Sequence, residues 1–184
     1  VIINDKKNGI GAAYLQGFRY GLLNHFDFMM TMDADFSHHP KEIPHFIQKG
    51  SQGDIIIGSR YMTGGGFKSW RLDRLLISKF ANLFCRLFFG LKCNDYSSGY
   101  RGYKKEVAEH ILSQGLISKG YSALEEILVI GYFRKFKIVE IPIFFDNRKK
   151  GKSKLSFHEI ISSGIKIFRF WLKVRTDGLV YPKI

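Results

Sequence analysis

Cysteine is scarce in this 184-residue chain: there are two, Cys85 and Cys93. Their spacing fits no metal-ligand pattern, and two thiols make no disulfide framework of the kind that staples small secreted domains. They read as reduced thiols, in the core or at the surface, of a reducing compartment. Long apolar runs are missing too. None reaches the roughly 18 residues that a membrane-spanning helix needs, and no signal-peptide pattern opens the chain. No internal repeat and no low-complexity segment is present. Acid is in deficit: 16 Asp and Glu face 29 Lys and Arg, a net charge of +13. That imbalance favours anionic partners, whether nucleic acid, phosphorylated ligands or an acidic membrane surface. What remains is 45% apolar residues, enough for one domain with a real core. The first residue is Val, inside "VIIN", a strand already under way. The expectation is that further N-terminal residues have been lost.

Strand and helix patterns alternate through the first half. After "VIIN" comes "GIGAAYLQGFRYGLLNH", where Ile10, Ala13, Tyr14, Gly17, Phe18, Gly21 and Leu22 recur at helical spacing. "FDFMMTMD" and "GDIIIGSR" are short apolar runs fit for buried strands, with the proline-led helix "HPKEIPHFIQKG" between them. This order predicts an α/β fold with a mostly parallel sheet and helices on both faces. In such sheets ligands bind beyond the carboxyl ends of the strands, where "DAD" and "GSR" stand. Further on, "WRLDRLLISKFANLFCRLFFG", "KKEVAEHILSQG" and "YSALEEILVIGYFRKF" predict three helices and "KIVEIPIFF" a strand. "DNRKKGKSKLS" reads as a basic loop, and "FHEIISSGIKIFRFWLKV" as a last, aromatic-basic helix.

The stretch "MMTMDADFSHHP" sets Asp33 and Asp35 one residue apart at a strand end. Like charges so placed repel unless a cation joins them, and oxygen ligands select a hard ion, Mg²⁺ or Mn²⁺, which shares carboxylates with substrate phosphates. The alternative is a solvated turn capping the next helix. His38 and His39 are ligands or, as is commoner in an exposed turn, solvated. Gly9 and Gly11 let backbone approach a phosphate at a helix N-terminus, or serve tight helix–sheet packing. Arg60 follows a buried strand directly. Arg74 and Ser78 share one face of a helix, and Arg148 opens "RKKGKSK", with Ser153 and Lys154 as further donors. Each is a solvated surface group alone; together they offer forked donors for phosphate. Glu126, beside Glu125 on an apolar helix face, is either a surface charge or part of a buried polar network.

In this order "GIGAAYLQGF", "MDADFSHHP", "GSRYMTGG", "W…R…S…AN", "D…SGYRGYKKEV", "GY…E" and "R..G.SK" resemble the polyprenol-phosphate mannosyltransferases, the dolichol-phosphate-mannose synthases. These are family 2 glycosyltransferases of the GT-A fold, a Rossmann-like sheet. The likeness runs over roughly residues 1 to 170. It implies a GT-A catalytic domain over residues 1–154, lacking the N-terminal strands that carry a Pro-Thr-Tyr-Asn-Glu-like segment and read the base. Residues 155–184 are then an amphipathic helix and tail at a membrane interface. Asp33 and Asp35 become the metal and nucleotide-diphosphate site, with Ser37 where some members place a metal-ligating Gln. Gly9, Gly11 and Glu126 fall to the nucleotide sugar. Arg60, Arg74, Ser78 and Arg148, with Ser153 and Lys154, fall to the lipid phosphate. Ala123-Leu124 stands where the family has aromatic-Gln.

The implied reaction is inverting, metal-dependent transfer of mannose from GDP-mannose to a polyprenol monophosphate, dolichyl or undecaprenyl, with no nucleic acid involved. Asp33, Asp35, Arg60 and Arg148 carry the chemistry. A phosphate acceptor is already ionised and needs no general base, only positioning and charge screening. UDP-glucose as donor and a non-catalytic basic membrane-docking module are the alternatives. A haloacid-dehalogenase-like phosphatase lacks support, since no Gly-Asp-x-x-x-Asp follows, and a processive synthase lacks its Gln-x-x-Arg-Trp. The lipid acceptor places the protein peripherally on the cytoplasmic face of an anionic membrane. The last helix, with Ile160, Ile161, Ile165, Phe168, Trp171 and Leu172 among Lys166, Arg169, Lys173 and Arg175, suits an interfacial position, helped by a membrane-spanning subunit.

Overall fold

The computed structural model describes residues 8–68, 72–118, 120 and 122–146, with four helical residues at 165, 168, 169 and 172. The expected strand "VIIN", the loop with Arg148, Ser153 and Lys154, and the rest of residues 155–184 lie outside the described residues.

Two strands lead. β1, Phe28–Thr31, follows helix α1, Ile10–Leu23, and β2, Ile55–Ser59, follows α2, Ile43–Gly50. The "HPKEIPHFIQKG" segment is not one helix. A 3-10 turn, Pro40–Glu42, precedes α2, and each piece has a proline in its first positions, where a missing N–H costs nothing. A two-residue strand β3, Gly66–Phe67, precedes the long helix α3, Leu72–Phe89. Strand β4, Arg101–Lys104, runs straight into α4, Lys105–Gln114; then come α5, Ala123–Phe133, β5, Ile138–Pro142, and β6, Phe144–Phe145.

The main sheet has the order β1-β4-β2-β5, and β3 pairs with β6 apart from it. β5 lies parallel to β2, with Ile57 opposite Glu140. β4 is antiparallel to both β1 and β2, with Arg101 opposite Thr31 and Ile57. Three of the four strands therefore share one direction, as the alternating pattern predicts. The fourth was not anticipated. "RGYK" is too short and too charged to read as a strand, and its place is fixed by tertiary contacts. Gly102 is a close-approach position, because a Cβ there would overlap the Phe28 ring on β1.

β2 explains why the sheet is covered on both faces. All five of its residues are buried. Ile55 and Ile57 join a cluster with Phe18 of α1, Val107, Ala108 and Ile111 of α4, and Ile127 to Ile130 of α5. Ile56 points the other way, to Phe46 of α2, Tyr100, Ile141 and Ile143. The period of two thus feeds two cores. α5 is buried along its length from Ala123 to Gly131, which takes Glu125 and Glu126 inside. α3 is the opposite case. Leu72, Leu76, Phe80, Leu83 and Leu87 are all exposed, at spacings of three and four. Among the described residues no helix is long and apolar enough to cross a membrane.

Ile57→Ala removes a side chain of zero exposure shared by the larger core. Chemical denaturation should show a loss of about 2–5 kcal/mol with an unchanged slope; a loss under about 0.5 kcal/mol would mean the sheet is not covered as described.

Candidate active site

β1 and β2 point their carboxyl ends to one side, and antiparallel β4 enters from that side. The residues after Thr31, those after Ser59 and the loop Asp95–Tyr100 therefore meet at one end of the sheet. The Thr31 hydroxyl donates to the Gly99 carbonyl at 2.9 Å, and the Tyr14 hydroxyl of α1 reaches the same oxygen at 3.5 Å.

Asp33 and Asp35 sit on the turn that leaves β1. The Asp33 side chain is about half exposed, at 48%. Asp35 is half-buried, and one of its carboxylate oxygens accepts from both the backbone N–H (3.0 Å) and the hydroxyl of Ser37. Ser37, expected as a metal-site residue, is buried and supports Asp35. Phe36 between them has φ 64° and an exposed ring.

The neighbouring histidines have different surroundings. His38 is buried, stacks on Tyr100 at 4.8 Å and meets the edge of Phe145 at 5.2 Å. Its Nδ1 accepts the backbone N–H of Asp33 at 2.9 Å. Burial, with the Arg60 charge adding to it, lowers its pKa to about 4, so the ring is neutral with its proton on Nε2. His39 is exposed, and its Nδ1 accepts from Lys41 N–H at the start of the 3-10 turn. The apolar wall that buries His38 lies far away in sequence, so the motif alone could not show it.

Arg60 is held inside. Its Nε and one terminal nitrogen donate to the two oxygens of Asp95, both at 2.7 Å; its backbone N–H adds a third bond at 3.0 Å. The same terminal nitrogen donates to Ser97 Oγ at 2.8 Å. Burial alone would raise the Asp95 pKa, but the Arg60 charge and hydrogen bonds outweigh it and hold the carboxyl ionised. Rings of Tyr61, Phe67 and Phe145 stand 5.5–5.8 Å from the guanidinium carbon. Asp95 is itself anchored. The Glu140 carboxylate on β5 accepts from the backbone N–H groups of Asn94 and Asp95 at 3.0 and 3.1 Å and from the Asn94 side chain at 2.8 Å. Arg101, also fully buried, donates to the carbonyls of Ser98 and Leu124, both at 2.7 Å, and of Tyr96. Asn82 of α3 accepts from Tyr96 N–H at 2.7 Å and donates to the Ser78 carbonyl at 2.8 Å. Ser78 is thereby tied to the site loop through the next turn of its helix. Arg74 lies in the first turn of α3, and its side chain is not described.

Gly9, Gly11 and Glu126 come together elsewhere on this end. Both Glu126 oxygens accept backbone N–H groups, from Ile117 and Ser118, each at 2.8 Å. The loop so held packs on α1 at Gly11, where a Cβ would stand 2.5 Å from the Ser118 carbonyl oxygen. Gly9 begins the helix at φ 87°, a left-handed value that suits glycine. A cavity of about 630 Å³ opens here, lined by Asn8, Gly9, Gly11, Leu116, Ser118 and Gly120 among others. Glu126 is thus the buried network member of its pair. Sequence reasoning gave no role to Asp95, Glu140 or Arg101. The signal was present for two: an Asp and an Arg within "D…SGYRGY", the Arg between two tyrosines.

The profile of glycosyl transferase family 2 matches residues 1–112. The chain belongs to glycosyltransferase family 2. Among curated family relatives, the polyprenol monophosphomannose synthase of Mycolicibacterium smegmatis is 37% identical over 178 residues, 96% of this chain and 67% of that protein. The undecaprenyl-phosphate mannosyltransferase of Micrococcus luteus is 34% identical over 179 residues, 97% and 74%. Among solved structures, the glucosyl-3-phosphoglycerate synthase of Mycobacterium tuberculosis with phosphoglyceric acid aligns with a TM-score of 0.59 at 15% identity, covering 94% of this chain and 56% of that one. The same enzyme with Mn²⁺ and UDP-glucose gives 0.57 at 16%, covering 94% and 55%. These structures speak to the fold: a GT-A-type α/β arrangement, of which this chain spans little more than half the length.

Glu125 generates a pH prediction. It is buried, and desolvation lifts its pKa to about 7. The folded state then holds a proton that the unfolded state has released, so stability falls as pH rises from about 4.5 to about 7 and is level above. Glu125→Gln should gain on the parent protein across that window, by on the order of a few kcal/mol in all. Denaturation series at pH 4.5, 6 and 8 measure it, and a pH-independent difference would contradict the burial of this carboxyl.

Proposed function

We propose that this family 2 glycosyltransferase chain transfers mannose from GDP-mannose to a polyprenyl monophosphate with inversion at the anomeric carbon. What carries the reading is the Asp33–Asp35 pair on one turn at the sheet's carboxyl end, in a chain that matches the two polyprenyl-phosphate mannosyltransferase relatives over 96% and 97% of its length.

The residues present fit a divalent cation, Mg²⁺ or Mn²⁺. Asp33 is about half exposed, Asp35 has one oxygen fixed by Ser37, and both offer hard oxygen donors. An ion held by these two carboxylates would complete its shell with water and phosphate oxygens. A cation bound there supplies positive charge to the departing diphosphate. The protein's own part is positioning. Glu126 holds the Ile117–Ser118 loop against Gly11, shaping the cavity at the start of α1 as a subsite for the nucleotide sugar. The acceptor phosphate is ionised at neutral pH, so no side chain needs to take a proton from it, and His38, with its pKa near 4 and Nδ1 occupied, is not asked to. Arg74, Ser78, Arg148, Ser153 and Lys154 orient the phosphate, while Arg60, buried against Asp95, acts beneath them by holding the loop that shapes the site.

The acceptor's hydrocarbon keeps it in a bilayer, so the reading places the chain peripherally on the cytoplasmic face of a membrane. The exposed stripe Leu72, Leu76, Phe80, Leu83 and Leu87 on α3 supports this, as do exposed Ile165, Phe168 and Leu172. The excess of basic residues supports an anionic surface, with a membrane-spanning subunit as a further anchor.

Transfer of label from GDP-mannose to polyprenyl phosphate tests the reading. The full chain should be active with Mg²⁺ or Mn²⁺ and silent in chelator. Asp33→Asn and Asp35→Asn should each lower turnover by at least about 100-fold without changing the thermal midpoint by more than a few degrees. Near-parental turnover in either variant would sink the assignment of this pair.

A further inference from the structure

Three non-glycine residues among those described have positive φ: His25, Phe36 and Lys135. His25 and Lys135 follow the ends of α1 and α5, an ordinary place for a left-handed residue. Phe36 ends no helix. It stands between Asp35 and Ser37 at φ 64°, and that conformation lets the Ser37 N–H and hydroxyl reach back to Asp35. Glycine or asparagine would make the same turn with less strain, since a bulky side chain is disfavoured there. The ring is also 62% exposed, so packing does not offset the strain. An uncompensated outlier beside the reacting groups points to a contact made with a ligand.

The chemistry of the surroundings says which ligand. From Met32 to Phe36 the exposed side chains are Met32, Asp33, Ala34 and Phe36, while Ser37 and His38 are buried, with the Ser37 hydroxyl bonded to Asp35 and His38 Nδ1 to the Asp33 N–H. Met62, two residues beyond Arg60, adds an exposed thioether side chain at the end of β2. The exposed side chains directly before Phe36, at Met32, Asp33 and Ala34, are thus two apolar groups and one carboxylate, and none of these three is a neutral donor for a sugar hydroxyl. Resting on the function proposed above, we infer that Phe36 is a specificity-determining residue that packs on the isoprene unit next to the acceptor's phosphate. It selects a phosphate that carries hydrocarbon.

The test uses the full chain in detergent micelles with saturating GDP-mannose and Mg²⁺ or Mn²⁺. The acceptors are a long polyprenyl phosphate and a two-isoprene phosphate. Phe36→Gly and, as a second variant, Phe36→Asn keep a residue that tolerates the turn and remove the ring. Both should raise the acceptor KM about tenfold for either chain length, leave the donor KM within about twofold and not lower the thermal midpoint. Phe36→Leu should recover most of the acceptor affinity. An unchanged acceptor KM in an active enzyme overturns this proposal alone. So does an equal rise in donor KM, which would put the ring on the sugar, or an effect present in vesicles and absent in micelles, which would put it in the bilayer. A parent protein that transfers mannose to no polyprenyl phosphate overturns the function and this inference together.

Discussion

The buried pair of Arg60 and Asp95 is the constraint on which this end of the molecule depends. A guanidinium follows the central strand β2 directly, and a carboxylate 35 residues later takes its side chain in two bonds of 2.7 Å. Two charges out of water are costly unless each is fully bonded. The chain satisfies them in layers: Asp95 by Arg60, the Asp95 and Asn94 backbone by Glu140 on β5, and the carbonyls of the same loop by Arg101. The loop before β4 is fixed as a result. Through the Gly99 carbonyl it meets Thr31 and Tyr14, and so the floor beneath Asp33. A surface turn with two aspartates is positioned by charges that never reach the surface.

The same layering separates the polar groups by task. Those that hold shape are buried and turned inward: His38, Ser37, Glu126, Arg101. Those available to a ligand are few, and they stand at the carboxyl ends of β1 and β2. Glu125 fits neither group, being a buried carboxyl whose Oε2 has no hydrogen-bond partner among the described residues. It titrates near neutrality and ties stability to pH in the opposite sense to His38, whose neutral ring favours the fold as pH rises from about 4 to its ordinary range.

Much of this was legible from residues alone. The runs "FDFMMTMD" and "GDIIIGSR" announced buried strands because apolar patterning is local, and the carboxylate pair stood out because like charges at a strand end call for a cation. β4 escaped because "RGYK" carries no apolar run and its place depends on Gly102 receiving Phe28 from another strand. The one helix expected over "HPKEIPHFIQKG" became a 3-10 turn and a helix, a division that the second proline, Pro44, marks. Arg60 was visible as a candidate, but its partner was not, since no pattern links positions 60 and 95. His38 was misjudged for the same reason: its burial comes from Tyr100 and Phe145, which the fold brings in.

A double-mutant cycle on the Arg60–Asp95 pair tests the account most directly. Arg60→Met and Asp95→Leu are measured singly and together by chemical denaturation. Each single change should cost about 3–5 kcal/mol, because it strands the opposite charge in the core. The double variant should recover at least about 2 kcal/mol of their sum, while still failing to restore the mannosyl transfer proposed for this chain. Single losses that simply add, or remain below about 1 kcal/mol, would show that the pair is not the support on which the site is built.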